Sequence, residues 1–263
     1  MQTDGLLSVL VFSLLAAATG SAAQERILVY TRNGKGFVHD NIQASVEAIR
    51  KIGQQRGWTV DVSTNPAAFT DDNLKKYRAV VFSNSNNEAF DTEEQRRAFQ
   101  RYIRAGGGFA GIHSATGSER KWPWYWALIG GTFAWHQPLQ AFTVRIVDAH
   151  HPSTSFFNVD TWPWEDEFYY VKERVANVHV LLAGDQSTLK KPAKGKFESV
   201  MDNPNLYPLA WCHEFEGGRS WYTALGHKPQ HYSDPLFVKH LEGGIQWAMG
   251  EAKQPVAETR KEP

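Results

Sequence analysis

Between Arg26 and Ile112 the chain alternates apolar runs with segments of helical pattern, and this alternation restricts the fold more than any other feature. The apolar runs cover residues 26–31, 58–63, 78–83 and 108–112. Each is short, and the first and third are rich in β-branched residues, as expected of strands buried on both faces. The intervening segments carry helix signals. In 40–56, led by Asp40 or His39, residues Ile42, Val46, Ile49 and Ile52 share one face, and Gly57 follows as a terminating glycine. Thr70 is placed to cap a short helix over 71–77. Asp91 with Glu94 reads as a capping box opening a helix over 91–105. Strands alternating with helices predict a mainly parallel sheet with right-handed crossovers and helices on both faces. The loops 32–39, 83–90 and 113–121 then share the rim at the strand carboxyl ends, where open α/β sheets bind ligands.

One stretch lies at the centre of this plan. Gly106, Gly107 and Gly108 end the third helix and supply backbone freedom that other residues lack. Residues 108–112 form the fourth strand, with Gly111 allowing close backbone approach. The turn that follows carries His113 to the mouth of the expected cleft.

The second half is less regular. Residues 124–131 suggest a short helix ended by Gly130 and Gly131. Residues 142–147, 168–171 and 179–182 read as strands. Glu216, Gly217 and Gly218 between 209–213 and 220–225 mark a hairpin. Asp234 opens a last helix over 235–249. Residues 134–203 thus form a β-rich excursion, with a Lys-rich loop at 189–197.

Residues 6–18 are an apolar run of signal-peptide length, and Ser21, Ala22 and Ala23 offer a cleavage site, although Asp4 stands where a basic n-region is usual. The expectation is a signal peptide over 1–23, a domain over 24–250 and a polar tail over 251–263, with the mature protein periplasmic or secreted and no membrane span left. A formal net charge of +0 and the lack of a basic run argue against nucleic acid as a partner. Cys212, the lone cysteine, sits in a strand-like run and reads as a core residue rather than a nucleophile.

Several motifs occur in a fixed order: Phe37, Val38 and His39; Gly111, Ile112 and His113; Leu128 to Phe133 with His136; His151 and Pro152; Asp166 and Glu167 with Tyr169; Tyr222 to His227; Asp234 and Pro235; Gly243 to Trp247. Together they resemble the ThuA-like family, named for trehalose utilisation, over nearly all of the domain. The resemblance implies a flavodoxin-like fold similar to class I glutamine amidotransferases, and an association with sugar utilisation that includes keto-sugars. Those amidotransferases carry a nucleophilic Cys at the strand-to-helix elbow. Here His113 stands at that position, which argues against thiol chemistry; residues 111–115 are not a serine elbow either.

Histidine is the chemical currency of the expected site. His39, His113, His136 and His227 all follow strands or turns on the rim, though any one of them alone could be a structural histidine. The candidate catalytic residues are His113, Glu167 and His227. His39, His113 and His136 are candidate ligands for a zinc-like divalent transition metal. Adjacent carboxylates on a strand point to opposite faces, so only one of Asp166 and Glu167 should face the cleft, with Glu167 on the side of Tyr169. That leaves a glycosidase carboxylate pair poorly supported. Trp122, Trp124, Trp135 and Tyr169 are candidate platforms for a sugar ring. The expected ligand is a small carbohydrate, bound either for hydrolysis, elimination or isomerisation, or by a module with no turnover.

Overall fold

The computed structural model describes residues 24–190 and 201–251. The expected signal segment, most of the Lys-rich loop and all of the polar tail except Glu251 lie outside the described residues. No helix among the described residues is long and apolar enough to cross a membrane.

The parallel half of the sheet follows the sequence pattern. Strands β1 (Arg26–Tyr30), β2 (Thr59–Ser63), β3 (Ala79–Ser83) and β4 (Gly108–Ile112) lie in the order β2-β1-β3-β4, each parallel to its neighbour. All residues of β3 and β4 are buried, because both strands are internal and covered on both faces. The edge strand β2 is only half-buried. Helix α1 (Ile42–Arg56) connects β1 to β2, α2 (Asp71–Leu74) leads from β2 to β3, and α3 (Glu93–Arg104) joins β3 to β4. Chain direction reverses across the sheet after β2. Right-handed crossovers therefore place α1 on one face and α2 and α3 on the other. The fifth helix, α5 (Pro235–Met249), packs against α1 and against β4.

Two helix starts differ from expectation. Asn41, not Asp40 or His39, is the residue before α1. The capping box on α3 is Thr92 with Gln95, because Asp91 is drawn away into an ion pair with Arg32. Thr70 caps α2, and Asp234 caps α5 by accepting from the N–H groups of Leu236 and Phe237.

The excursion continues the same sheet. Strand β10 (Leu206–Phe215) turns through Glu216 and Gly217 into β11 (Gly218–Thr223), an antiparallel hairpin. β11 then lies parallel to β4 as the fifth parallel strand. Beyond β10 the sheet is antiparallel, through β9 (His179–Asp185), β6 (Gln140–Ile146) and the edge strand β7 (Thr161–Asp166). A separate ribbon pairs β5 (Thr132–His136) with β8 (Tyr169–Lys172). The short helix α4 (Pro123–Ile129) precedes it.

Close packing explains the glycines of the fourth strand. A Cβ on Gly108 would stand 2.2 Å from the Ala248 carbonyl oxygen on α5, and one on Gly111 would stand 2.9 Å from Ile129. An aromatic cluster fills the α3 side: Phe82 lies 5.7 Å from Phe99 and 5.3 Å from Phe109, ring centre to ring centre. Burying each such ring contributes about 1.5–3 kcal/mol.

Candidate active site

Four side chains from distant parts of the chain converge at the carboxyl ends of the parallel strands. They are His39, His113, Glu167 and His227, whose ligand atoms all lie within 4.8 Å of one another. His39 comes from the β1–α1 loop, His113 from the turn after β4 and His227 from the turn after β11. Glu167 lies in the link between β7 and β8.

His113 is held in a tight turn with φ +51°, a backbone conformation uncommon for any residue but glycine. Two contacts maintain it. Tyr222 donates its hydroxyl to the His113 carbonyl at 2.8 Å, and His113 Nδ1–H donates to the Ala224 carbonyl at 2.8 Å. With Nδ1 carrying the proton, Nε2 presents a lone pair. The Tyr169 hydroxyl lies 3.1 Å from that nitrogen, and His227 Nδ1 lies 3.3 Å from it. Glu167 Oε2 stands 3.3 Å from His227 Nδ1 and 3.8 Å from His113 Nε2.

Two residues outside the candidate site set fix this geometry. Asn41 donates through its amide to Asn84 Oδ1, the Gly226 carbonyl and the His227 carbonyl, at 3.0, 2.7 and 2.9 Å. It thereby ties together the loops after β1, β3 and β11. Asp166, fully buried, accepts from Trp164 Nε1, Glu167 N, Gly226 N and His227 N at 2.9, 2.8, 2.8 and 3.3 Å. Both carboxylates of the Asp166–Glu167 pair thus reach the site, one as a strut and one into the cluster. Strand alternation does not forbid this, because β7 ends at Asp166. Signals for both residues were present: an Asn immediately before a helix, and a second acid beside Glu167.

Burial dominates the electrostatics. It pushes His39 down to about 4, with the neighbouring His227 ring adding to the shift. It also lowers His227, and holds His113 well below the usual histidine range. All three rings are neutral at neutral pH and offer lone pairs. Burial pushes the Glu167 carboxyl up to about 7.

The donor set suits a divalent transition metal. Ligands roughly 2.0–2.2 Å from a tetrahedral ion stand about 3.3–3.6 Å apart, and the 3.3 Å separations from His227 to His113 and to Glu167 match that spacing. The Nδ1–H bond of His113 to a backbone carbonyl is the outer-shell support that metal-binding histidines use. Glu167 would supply the compensating charge, and His39 Nδ1 is a buried nitrogen with no hydrogen-bond partner.

His136, expected among the metal ligands, stands outside these four. Its Nδ1 lies 3.0 Å from the Gln137 carbonyl and 3.3 Å from Glu167 Oε1, so both neighbours draw on the Nδ1 proton. It lines the rim of a cavity of about 330 Å³ that opens over the cluster, together with Phe37, Phe133, Arg120, Tyr169 and Glu167. Of the aromatic candidates only Tyr169 lines this cavity. Trp122 packs on Phe90 at 5.9 Å, Trp124 on Phe99 at 5.9 Å and Phe215 at 5.6 Å, and Trp135 stacks on Tyr170 at 5.8 Å. The first two are drawn toward the aromatic cluster because it offers more apolar contact than the rim. Cys212 is fully buried, and burial pushes its thiol up to about 12, far from a nucleophile's range.

Solved structures share this architecture. A putative ThuA-like protein from Bacteroides uniformis is 20% identical, with a TM-score of 0.70 over 88% of this chain and 94% of that one. A second, from Parabacteroides merdae, is 19% identical, with a TM-score of 0.65 over 89% and 94%. A β-galactosidase from Bacillus circulans sp. alkalophilus is 12% identical, with a TM-score of 0.53 over 86% of this chain but 31% of its own. At these identities the likeness is one of fold. Among curated proteins none matches the chain in sequence. The family model described as trehalose utilisation matches residues 26–248, almost all of the described fold, and by that match the chain belongs to the ThuA family.

Proposed function

We propose that the chain is a sugar-processing enzyme acting on a carbohydrate or an oxidised keto-glycoside, by hydrolysis, elimination or isomerisation. The observation that carries this reading is the convergence of His39, His113, His227 and Glu167, two of which, His39 and Glu167, line a cavity of sugar-accommodating size. Membership of a carbohydrate-utilisation family agrees with it. Removing a proton beside a keto group requires a base and stabilisation of the enolate that forms. In the metal-free site burial pushes Glu167 up to about 7, where it would exchange a proton near neutral pH; as a metal ligand it would instead stay ionised and supply charge. Tyr169, its hydroxyl 3.1 Å from His113 Nε2, orients that ring. Phe37 and Phe133 provide apolar walls for a sugar face. A divalent transition metal of the zinc kind, held by His39, His113, His227 and Glu167, would polarise a substrate oxygen. The same reading places the protein in the periplasm or medium, on the strength of the apolar run at 6–18; cell fractionation tests that part.

The main test is elemental analysis of untagged wild type and His113→Ala, followed by turnover assays on keto-glycosides. About one metal per chain, absent from the variant along with turnover, is the expected result. Sugar binding without turnover in the metal-loaded wild type would overturn the enzymatic reading in favour of a binding module.

A further inference from the structure

Among the described residues, Arg120 is the one lysine or arginine lining the cavity. Arginines nearby in the chain are neutralised: Arg96 by Glu119, Arg97 by Glu94, Arg101 by Asp71, Arg104 by Glu216. Arg120 is held only by neutral groups. Its Nε donates to the Gly117 carbonyl at 3.0 Å and Nη2 to Asn86 Oδ1 at 3.3 Å, and the guanidinium stands 5.1 Å from the centre of the Phe133 ring. These contacts fix the plane of the fork while leaving its charge and its other N–H donors uncommitted.

The surroundings are shaped to permit this. A Cβ on Gly117 would lie 2.5 Å from Asn86 Oδ1 and 3.1 Å from Arg120 Nη2, so a side chain there would split the pair. A second observation points to a ligand. Ser114 is only 3% exposed and lines the same cavity, and its hydroxyl has no hydrogen-bond partner. A buried hydroxyl without a partner is costly, and an acceptor on a bound molecule would satisfy it.

We propose that this cavity selects sugars that carry a carboxylate, such as uronic acids, with Arg120 and Ser114 receiving the anion. The inference rests on the sugar-site reading above and narrows it, because trehalose and other plain disaccharides carry no ionised group. A single guanidinium fork and a hydroxyl lining one cavity suit a planar monoanion. No second cationic side chain among the cavity-lining residues is placed to meet a phosphate dianion.

The test is isothermal titration calorimetry of the full mature chain with glucuronate, glucose, trehalose and glucose 6-phosphate. Glucuronate should bind at least about tenfold more tightly than glucose, the usual worth of a charge-assisted hydrogen bond. Arg120→Gln should abolish that preference while keeping the thermal unfolding midpoint. Arg120→Lys should retain part of it, and Ser114→Ala should weaken glucuronate alone. Equal affinity for glucuronate and glucose, or a preference that survives Arg120→Gln, would overturn the assignment. Tighter binding of glucose 6-phosphate would overturn the carboxylate in favour of phosphate. Binding of none of these sugars would sink the sugar-site reading as well, whereas equal binding sinks only this inference.

Discussion

Asp166 fixes His227 through its backbone rather than through its ring: the buried carboxylate accepts from Gly226 N at 2.8 Å and His227 N at 3.3 Å. Burial pushes this carboxyl up to about 7, and the hydrogen bonds from Gly226 N, Trp164 Nε1 and Glu167 N pull the other way. Asp166→Asn replaces an acceptor oxygen with an NH2 group that must face those donors. The expected outcome is a 10–100-fold loss of metal affinity, the range typical of outer-shell changes, with His39 and His113 unaltered. Competition against a chelator of known affinity measures it; unchanged affinity would mean that the turn at Gly226 holds without Asp166.

Gly108→Ala tests the close approach of β4 to α5. The new methyl would meet backbone, the Ala248 carbonyl oxygen at 2.2 Å and carbon at 2.7 Å, so no side-chain rotation relieves the clash. Destabilisation of about 1–3 kcal/mol or more is expected from urea unfolding.

His240 is fully buried on α5, where its Nδ1–H donates to the Ser153 carbonyl at 2.8 Å. Burial pushes it down to about 4 from 6.5. Because the folded value is depressed, the unfolded chain binds the extra proton between those two values. Stability is therefore full above about 6.5 and falls as the pH drops toward 4, by up to about 1.4 kcal/mol per pH unit for this group. Asp166 and Glu167, raised to about 7, act in the opposite sense across part of that window. The difference between wild type and His240→Gln removes their contribution. Urea midpoints at pH 5 and 7 should shift less in the variant; an equal shift would show that His240 is not the group responsible.

Cys212→Ala should leave turnover unchanged and cost roughly 1 kcal/mol, the worth of one small buried group. A thiol reagent should label the native protein slowly and the urea-unfolded protein at once, since the thiol is fully buried.

The parallel half of the fold is legible in the sequence because its strands are buried on both faces and its helices end on clear signals, such as Gly57 after α1 and Asp234 before α5. The edge strand β7 is harder to see. Pro163 breaks the strand pattern, yet Trp162 and Trp164 on either side of it are buried and an exposed proline is tolerated at a sheet edge. His39, His113, His227 and Glu167 can be nominated from chain position alone, since strand ends in an α/β sheet share a rim. Their partners depend on three-dimensional closure. His136 ends a strand and His227 follows one, and only the sheet order brings His227, in the turn after the strand beside β4, next to His113. Asn41 and Asp166 bond mainly to backbone groups far along the chain, to Gly226 and His227, which no local pattern announces.

The β10–β11 hairpin lies between β4 and β9, in the interior of the nine-stranded sheet, although it follows every other strand in the chain. Until it inserts, β4 and β9 each present an open edge with unpaired backbone groups, the surfaces through which chains pair with one another. Its pairing with β4 joins Arg219 to Gly108, far apart in the chain, so loop closure makes its arrival late. His227 rides on the end of that hairpin. A chain emerging from synthesis therefore has no complete His–Glu cluster until its two sheet halves have been joined, and capture of a metal by all four ligands would report that folding is finished.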